Sequence, residues 1–353
     1  MSTSEIVTST TAVDPDLVAM LDAVFADYCT RADHGTPGGR IAFDRALWQR
    51  LNGLGLVRLT GSAETGGSGA SWRESAELLS AAVRHGVRLP LAEHDLLACW
   101  LLDAIGEPVD DAVRTLYAPP AAGEAAAPVP WAAEVDRLVV LWDAGAGYRV
   151  AELDTAGVSI GTGANLVGEP RDRPSVDTSA MSGPPVPLHL VRVLRRKSAL
   201  MRAIQVCAAM DQAVSMSIAH VASRVQFGRP LAKFQSIQNL ISDAAAEAAL
   251  ARAATEAALT TAVDSDWTAA YLDFQIATAR SCTGHAASVV TRNAHQVHGA
   301  MGTTLEHRLH EYTRAALAWR SEFGSVSFWD MQVRNAAVGA GGQQLWALIT
   351  EGS

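Results

Sequence analysis

The sequence has 353 residues and a net charge of −9, from 28 basic against 37 acidic side chains. Hydrophobic residues make up 49% and charged residues 18%, which excludes a disordered chain and admits a large core shared by two or three regions. The acidic balance sets nucleic-acid binding aside, since that class calls for a basic face. The N-terminal MSTSEIVTSTTAVDPD carries neither a basic n-region nor an apolar h-region, so residues 1–15 read as a tail and not as a signal peptide. Asp16 to Tyr28 reads as an amphipathic helix, with Leu17, Met20, Leu21, Val24 and Phe25 on one face. A second helix is expected from Phe43 to Leu54, stopping at Gly55, and Glu64 to Gly69 is a glycine-rich loop. Ser71 with Glu74 three residues on predicts a capped helix to about Val87. Another helix follows from Leu91 to Ile105, which completes an N-terminal helical domain over 16–117.

Residues 118–187 differ in texture. Ala118 to Pro130 is a Pro/Ala/Gly linker, and Arg137–Trp142, Tyr148–Leu153 and Val158–Ile160 read as short strands, with Gly145 to Gly147 as a hairpin turn. From 188 to 353 the chain is expected to be a helical bundle, with helices near 200–221, 235–261, 267–298 and 305–320. Leu200, Ile204, Cys207, Val214, Ile218 and Val221 form one stripe, and Asp211 interrupts it. Cys29, Cys99, Cys207 and Cys282 lie far apart with no CxxC, so neither a disulfide framework nor a zinc ribbon is expected. No run of about 18 apolar residues calls for a membrane span. The protein is expected in the cytoplasm.

Two motifs carry chemistry. The first is Arg224-Val-Gln-Phe-Gly-Arg-Pro-Leu-Ala-Lys-Phe-Gln235, between two bundle helices; the second is Gln296-Val-His-Gly-Ala-Met-Gly302. Both resemble signatures of the acyl-CoA dehydrogenase family. Trp48, Gly55-Leu56 and Gly66-Gly67 resemble its N-terminal pattern, and the order helical, β, helical agrees. The resemblance covers most of residues 40–330 and implies a mainly α fold with an N-terminal helical domain, a reduced middle β-domain and a C-terminal four-helix bundle. It also implies FAD as cofactor, with Arg224, Gln226, Phe227, Gln235, Gln296, Gly299 and Gly302 as cofactor-binding residues. The residue types suit a dinucleotide: Arg224 offers a fixed cationic fork, Gln235 an amide, and the glycines a close backbone approach.

In the family a carboxylate takes the α-proton of an acyl thioester while a hydride leaves Cβ for the flavin. A partly desolvated carboxyl with a raised pKa suits that base. The family position corresponds to Glu322, although Phe323 stands before Gly324 where the family has Glu-Gly. Asp211 is a second carboxylate out of place on an apolar stripe, with Arg252 or Arg280 as an expected partner. The pairs His295/His298 and His307/His310 are spaced for shared-face ligation, but no Cys or HExxH context accompanies them, and no metal is expected. The family's T-E-x-x-x-G-S-D segment, which covers the flavin, has no counterpart. That absence resembles the paired actinobacterial enzymes, in which two unlike subunits form an α2β2 assembly. Three readings follow: one subunit of a heteromeric enzyme desaturating an acyl-CoA, with a steroid side-chain thioester as substrate and an electron-transfer flavoprotein as acceptor; a self-sufficient homomeric acyl-CoA or acyl-carrier-protein dehydrogenase using Glu322; or a non-catalytic partner subunit.

Overall fold

The computed structural model describes residues 13–31, 39–119 and 127–350. The first helices are α1 (Pro15–Arg31), α2 (Arg45–Gly53) and α3 (Trp72–His85). Asp44 caps α2, accepting from the Leu47 N–H at 2.9 Å. The Ser71/Glu74 box opens α3, with the Ser71 N–H donating to the Glu74 carboxylate at 2.9 Å, and Gly86 (φ 74°) ends it.

The single helix expected over 91–105 is instead a π-helical run, Ala92–Cys99, followed by α4 (Trp100–Ile105). All eight residues of the run are buried, including Glu93, His94 and Asp95. Widening the helix turns these three polar side chains inward, and each then needs a partner. His94 accepts from the Arg114 N–H at 3.0 Å, Asp95 accepts from the Thr60 N–H at 3.0 Å, and Glu93 meets Arg202 at 2.5 Å.

The β region holds more than the three strands expected. It contains β1 (Arg114–Tyr117), β2 (Val129–Pro130), β3 (Arg137–Asp143), β4 (Tyr148–Asp154), β5 (Ser159–Gly161), β6 (Arg171–Ser175) and β7 (Pro185–Val186). One sheet runs β1-β3-β4-β7 and the other β2-β6-β5. The β3–β4 hairpin is in register from Arg137 opposite Asp154 to Asp143 opposite Tyr148, turning through Gly145 and Gly147 as expected. Strand β1 lies within the stretch assigned to the N-terminal helical domain and pairs parallel with β3, Leu116 opposite Val139. A four-residue strand has too few positions to show alternation, which is why it is silent in sequence. Of the linker, residues 120–126 lie outside the described residues.

The C-terminal helices are α5 (Leu188–Ser223), α6 (Gln235–Asp264), α7 (Leu272–His298), α8 (Leu309–Trp319) and α9 (Val326–Thr350). Helix α6 presents Ala244, Ala248, Ala251, Thr255, Ala258 and Ala262 inward, a ridge of small residues that lets α5 and α7 approach closely. On α5, Leu200, Ile204, Cys207 and Val221 are buried as their spacing requires, whereas Ile218 is half exposed. Helix α9, unresolved in the sequence reading, breaks at Gly341 (φ 66°) and exposes Phe328, Met331, Val338, Leu345 and Trp346. An apolar ridge of this kind marks an interaction surface.

Lys197 joins the N-terminal helices to the bundle. Its ammonium lies 4.7, 4.6 and 4.4 Å from the ring centres of Trp72, Trp100 and Trp267. Asp266 and Trp267 adopt φ 45° and 63°, a strained turn that presents the third indole. Among the described residues, no helix is long and apolar enough to cross a membrane.

Candidate functional site

Arg224 ends α5, its N–H bonding the His220 carbonyl at 2.9 Å. A two-residue hairpin follows, in which β8 (Val225–Gln226) pairs with β9 (Arg229–Pro230). Phe227 (φ 52°) and Gly228 (φ 77°) make the left-handed turn that such hairpins favour. Glycine enters that region freely, but phenylalanine does so at a cost. Phe227 is also 89% exposed, with its ring edge-on to Phe234 at 6.1 Å. A strained, solvent-borne aromatic is poorly explained by the fold of its own chain.

Arg224 and Gln226 are exposed as well, and no ion pair holds the Arg224 guanidinium among the described residues. Gln235 is the first residue of α6, exposed, its amide donating to Asn239 at 3.0 Å. Gln296 is exposed on the last turn of α7. Gly299 then turns the chain with φ 62° and ψ −145°, a conformation essentially reserved for glycine, and a Cβ there would meet nothing within 4 Å. Gly302 differs: it is buried, and a Cβ would sit 2.6 Å from the His298 Cβ. The first glycine leaves the backbone open to a ligand, and the second serves packing.

Two contacts gather these segments. The His220 and His298 rings stack at 4.5 Å with their planes 24° apart, joining the end of α5 to the end of α7. Asn293 donates to the Leu240 carbonyl at 3.1 Å and to Asp243 at 2.8 Å, joining α7 to the first turns of α6. Arg224, Gln226, Phe227, Gln235, Gln296, Gly299 and Gly302 therefore share one end of the bundle. An open guanidinium, exposed amides and an uncovered glycine turn fit a dinucleotide's phosphates and adenine.

Glu322 lies toward the other end. Arg202 of α5 and Arg280 of α7 both reach its loop. Each stands 18 residues before the stacked histidine of its own helix, about 27 Å at 1.5 Å per residue. The Glu322 carboxylate accepts four hydrogen bonds: from Arg171 Nε at 2.7 Å and its terminal nitrogen at 3.0 Å, from Arg202 Nε at 2.8 Å, and from Asn165 at 3.4 Å. Arg202 also donates to Glu93 and to Gln205, each at 2.5 Å, while Arg171 pairs with Glu169 at 2.9 Å. Glu169 in turn accepts from the Trp319 indole at 2.7 Å. Arg280 binds the carbonyls of Arg320, Glu322 and Gly324, and Phe323 (φ 55°) and Gly324 (φ 120°) turn the chain directly after the glutamate.

The raised pKa expected at Glu322 is not what this geometry gives. Burial pushes the carboxyl up, but Arg171 and Arg202 outweigh it and hold it at about 2. Two guanidiniums stabilise the ionised form far more than removal from water disfavours it. Glu93, Asn165, Glu169, Arg171 and Arg202 were absent from the sequence reading. Arg202, set in Ala-Leu-Met-Arg-Ala-Ile, breaks an apolar run just as Asp211 does and was equally open to notice.

Asp211 pairs with Arg252 at 3.1 Å, the first of its two suggested partners. Burial nevertheless pushes its carboxyl up, and it lines a cavity of about 640 Å³ with Arg252, Thr255 and Arg73. The histidine pairs are used locally: His295 bonds Thr313 at 2.9 Å and His298 bonds the Ala294 carbonyl at 2.8 Å. Among the described residues no group of three or more His, Cys, Asp and Glu side chains is arranged to hold a metal ion. The four cysteines are free thiols.

A helical domain, a small two-sheet β region and a long antiparallel bundle form an architecture similar to the acyl-CoA dehydrogenase fold. Residues 196–327 match the family described as "Acyl-CoA dehydrogenase, C-terminal domain". The chain is 30% identical over 119 residues to the acyl-CoA dehydrogenase IpdE2 of Mycolicibacterium smegmatis. That match spans 34% of this chain and only 35% of the relative's length. Its fold is similar to a chain of the ChsE4–ChsE5 complex from Mycobacterium tuberculosis, with TM-score 0.77, 19% identity, and 95% of this chain and 98% of that one covered. It is equally similar to a chain of the Tcur3481–Tcur3483 steroid acyl-CoA dehydrogenase, with TM-score 0.77, 18% identity and coverage of 92% and 98%.

Proposed function

We propose that this chain is one subunit of an FAD-dependent acyl-CoA dehydrogenase built as an α2β2 assembly of two unlike chains. It lends its nucleotide contacts to a flavin whose catalytic base stands on another chain. The reaction is α,β-desaturation of an acyl-CoA, with a steroid side-chain thioester as the substrate class and an electron-transfer flavoprotein as acceptor. The observation that carries this reading is the separation within the chain. The residues suited to a dinucleotide lie exposed at one bundle end, about 27 Å of helix from Glu322, whose lone pairs are already taken. The exposed Phe227 hairpin and the apolar ridge of α9 are surfaces in want of a second chain. The steroid and two-chain parts rest on what the similar proteins are, a ChsE4–ChsE5 complex and a steroid dehydrogenase.

Bound FAD would supply the oxidant, accepting the hydride from Cβ. The Arg224 fork would neutralise phosphate charge, the Gly299 backbone would approach it closely, and the amides of Gln235 and Gln296 would hold the adenine side. Phe227 would fill an apolar notch on the neighbouring chain. Glu322 would hold α5, β6 and the α8–α9 loop together as a paired anion, leaving α-proton removal to the partner. The self-sufficient reading asks Glu322 to accept a proton, and its four donors oppose that.

Expression of the chain alone and together with a second, unlike chain of the same fold tests this reading. Stoichiometric FAD and acyl-CoA oxidation are expected from the pair. A lone chain that bound one FAD each and turned over at full rate would overturn it.

A further inference from the structure

We propose that His220, His298 and His307 form a proton-coupled anion subsite at the nucleotide end of the bundle, which takes up a proton when a diphosphate binds. This rests on the reading that Arg224 and the Gly299 turn meet the phosphates of FAD. The three rings are in contact: His220 stacks on His298 at 4.5 Å, and His307 meets His298 edge-on at 4.8 Å. His298 is 5% exposed, and its Nδ1–H donates to the Ala294 carbonyl at 2.8 Å. That bond fixes the tautomer and leaves Nε2 as a buried lone pair without a hydrogen-bond partner. His307 Nδ1 accepts from the Leu309 N–H at 3.2 Å, so its hydrogen sits on Nε2.

The groups that face the cluster are His220 and Arg224 from α5, His295 from α7, and His307 from the segment leading into α8, with His310 beyond His295. All are nitrogen bases. Burial and the like charge of their neighbours, Arg224 included at His220, disfavour the imidazolium at His220 and His298 in the free protein. Burial first, and then the neighbouring histidines, hold His298 at about 4; burial, His307 and Arg224 also lower His220. An arriving diphosphate reverses this balance. It would sit at Arg224, one helical turn beyond His220, and at Gly299, the residue after His298. Two negative charges there favour the imidazolium, and the proton comes from the buffer. By linkage, the nucleotide binds more tightly as the medium becomes more acidic.

The test is calorimetric titration of FAD into the flavin-free two-chain complex, in two buffers of different ionisation enthalpy that lack phosphate. At pH 6.5 the expected uptake is about half a proton or more per FAD, for imidazoles raised to their ordinary range. Uptake should fall toward zero at pH 8.5, and affinity should tighten on the order of tenfold from pH 8 to 6, the equivalent of one pKa unit. The variants H220Q and H307N should each lower the proton count, while the wild-type count needs no variant to fold. FAD binding without proton uptake at pH 6.5 would sink this inference and leave the functional reading standing. A complex that binds no FAD would overturn both.

Discussion

Arg202→Met is the sharpest probe of the charge network. Arg202 is 1% exposed and is the shared partner of Glu93 and Glu322, at 2.5 and 2.8 Å. Methionine fills a similar volume, but two carboxylates in the interior then lose their common cation. Removing one member of a buried ion pair costs about 3–5 kcal/mol, because the remaining charge is uncompensated. Arg171 still serves Glu322, so the lower half of that range is expected, a fall in melting temperature of roughly 4–5 °C for a chain of 353 residues. The pH dependence gives a second handle. Glu322 is held at about 2 in the folded protein, against about 4.3 for a free glutamate. Its stabilisation is therefore present above pH 4.3 and is lost as pH falls through 4.3 toward 2. Without Arg202 the folded carboxyl titrates higher, so the gap between wild type and variant should narrow as pH drops from 7 to 4. Denaturant titrations at pH 7, 5.5 and 4 measure it. A penalty below 1 kcal/mol at pH 7, or one constant with pH, would refute the reasoning.

Other outcomes follow from the same geometry. Arg224→Ala should leave the melting temperature of the chain within a degree or two, since the side chain is exposed, yet strip FAD from the assembled complex on gel filtration. Gly302→Ala forces a Cβ to within 2.6 Å of His298 and should cost about 1–3 kcal/mol in thermal unfolding, whereas Gly299→Ala strains an open turn without a clash. Burial pushes Lys197 down to about 7 against the pull of Asp95 and Asp266. The unfolded chain therefore binds the extra proton between pH 7 and about 10.4, and stability should rise across that window. Lys197→Met should flatten the rise in a melting-temperature profile.

Features encoded within a few residues were readable from the sequence. The Ser71/Glu74 box, the Gly145–Gly147 hairpin and the long helices each rest on local spacing, and the structure has them. The two motifs were legible as motifs, but their meeting at one bundle end depends on a His220–His298 contact between helices 78 residues apart in sequence. The π-helical run was hidden because Leu91–Ile105 keeps helical composition throughout; only the width of the turn differs. Strands β6 and β7 were missed since Arg171–Ser175 is mostly polar and is buried by pairing and by ion pairs, not by apolar pattern. The environment of Glu322 was the largest omission. Its partners come from positions 165, 171 and 202, with Glu93 on the far side of Arg202, and no short-range pattern announces a network closed over more than a hundred residues.

Whether Glu322 removes the substrate proton decides between a subunit and a self-sufficient enzyme. Steady-state turnover of the two-chain complex carrying Glu322→Gln, measured below the variant's melting temperature with flavin content held equal, tests this most directly. The expected rate is within about threefold of wild type, alongside a clear loss of stability, since one paired charge is gone but no base. A loss of about a thousandfold in turnover with FAD retained, the scale expected for removing an acid–base group, would make Glu322 the base and contradict the subunit reading.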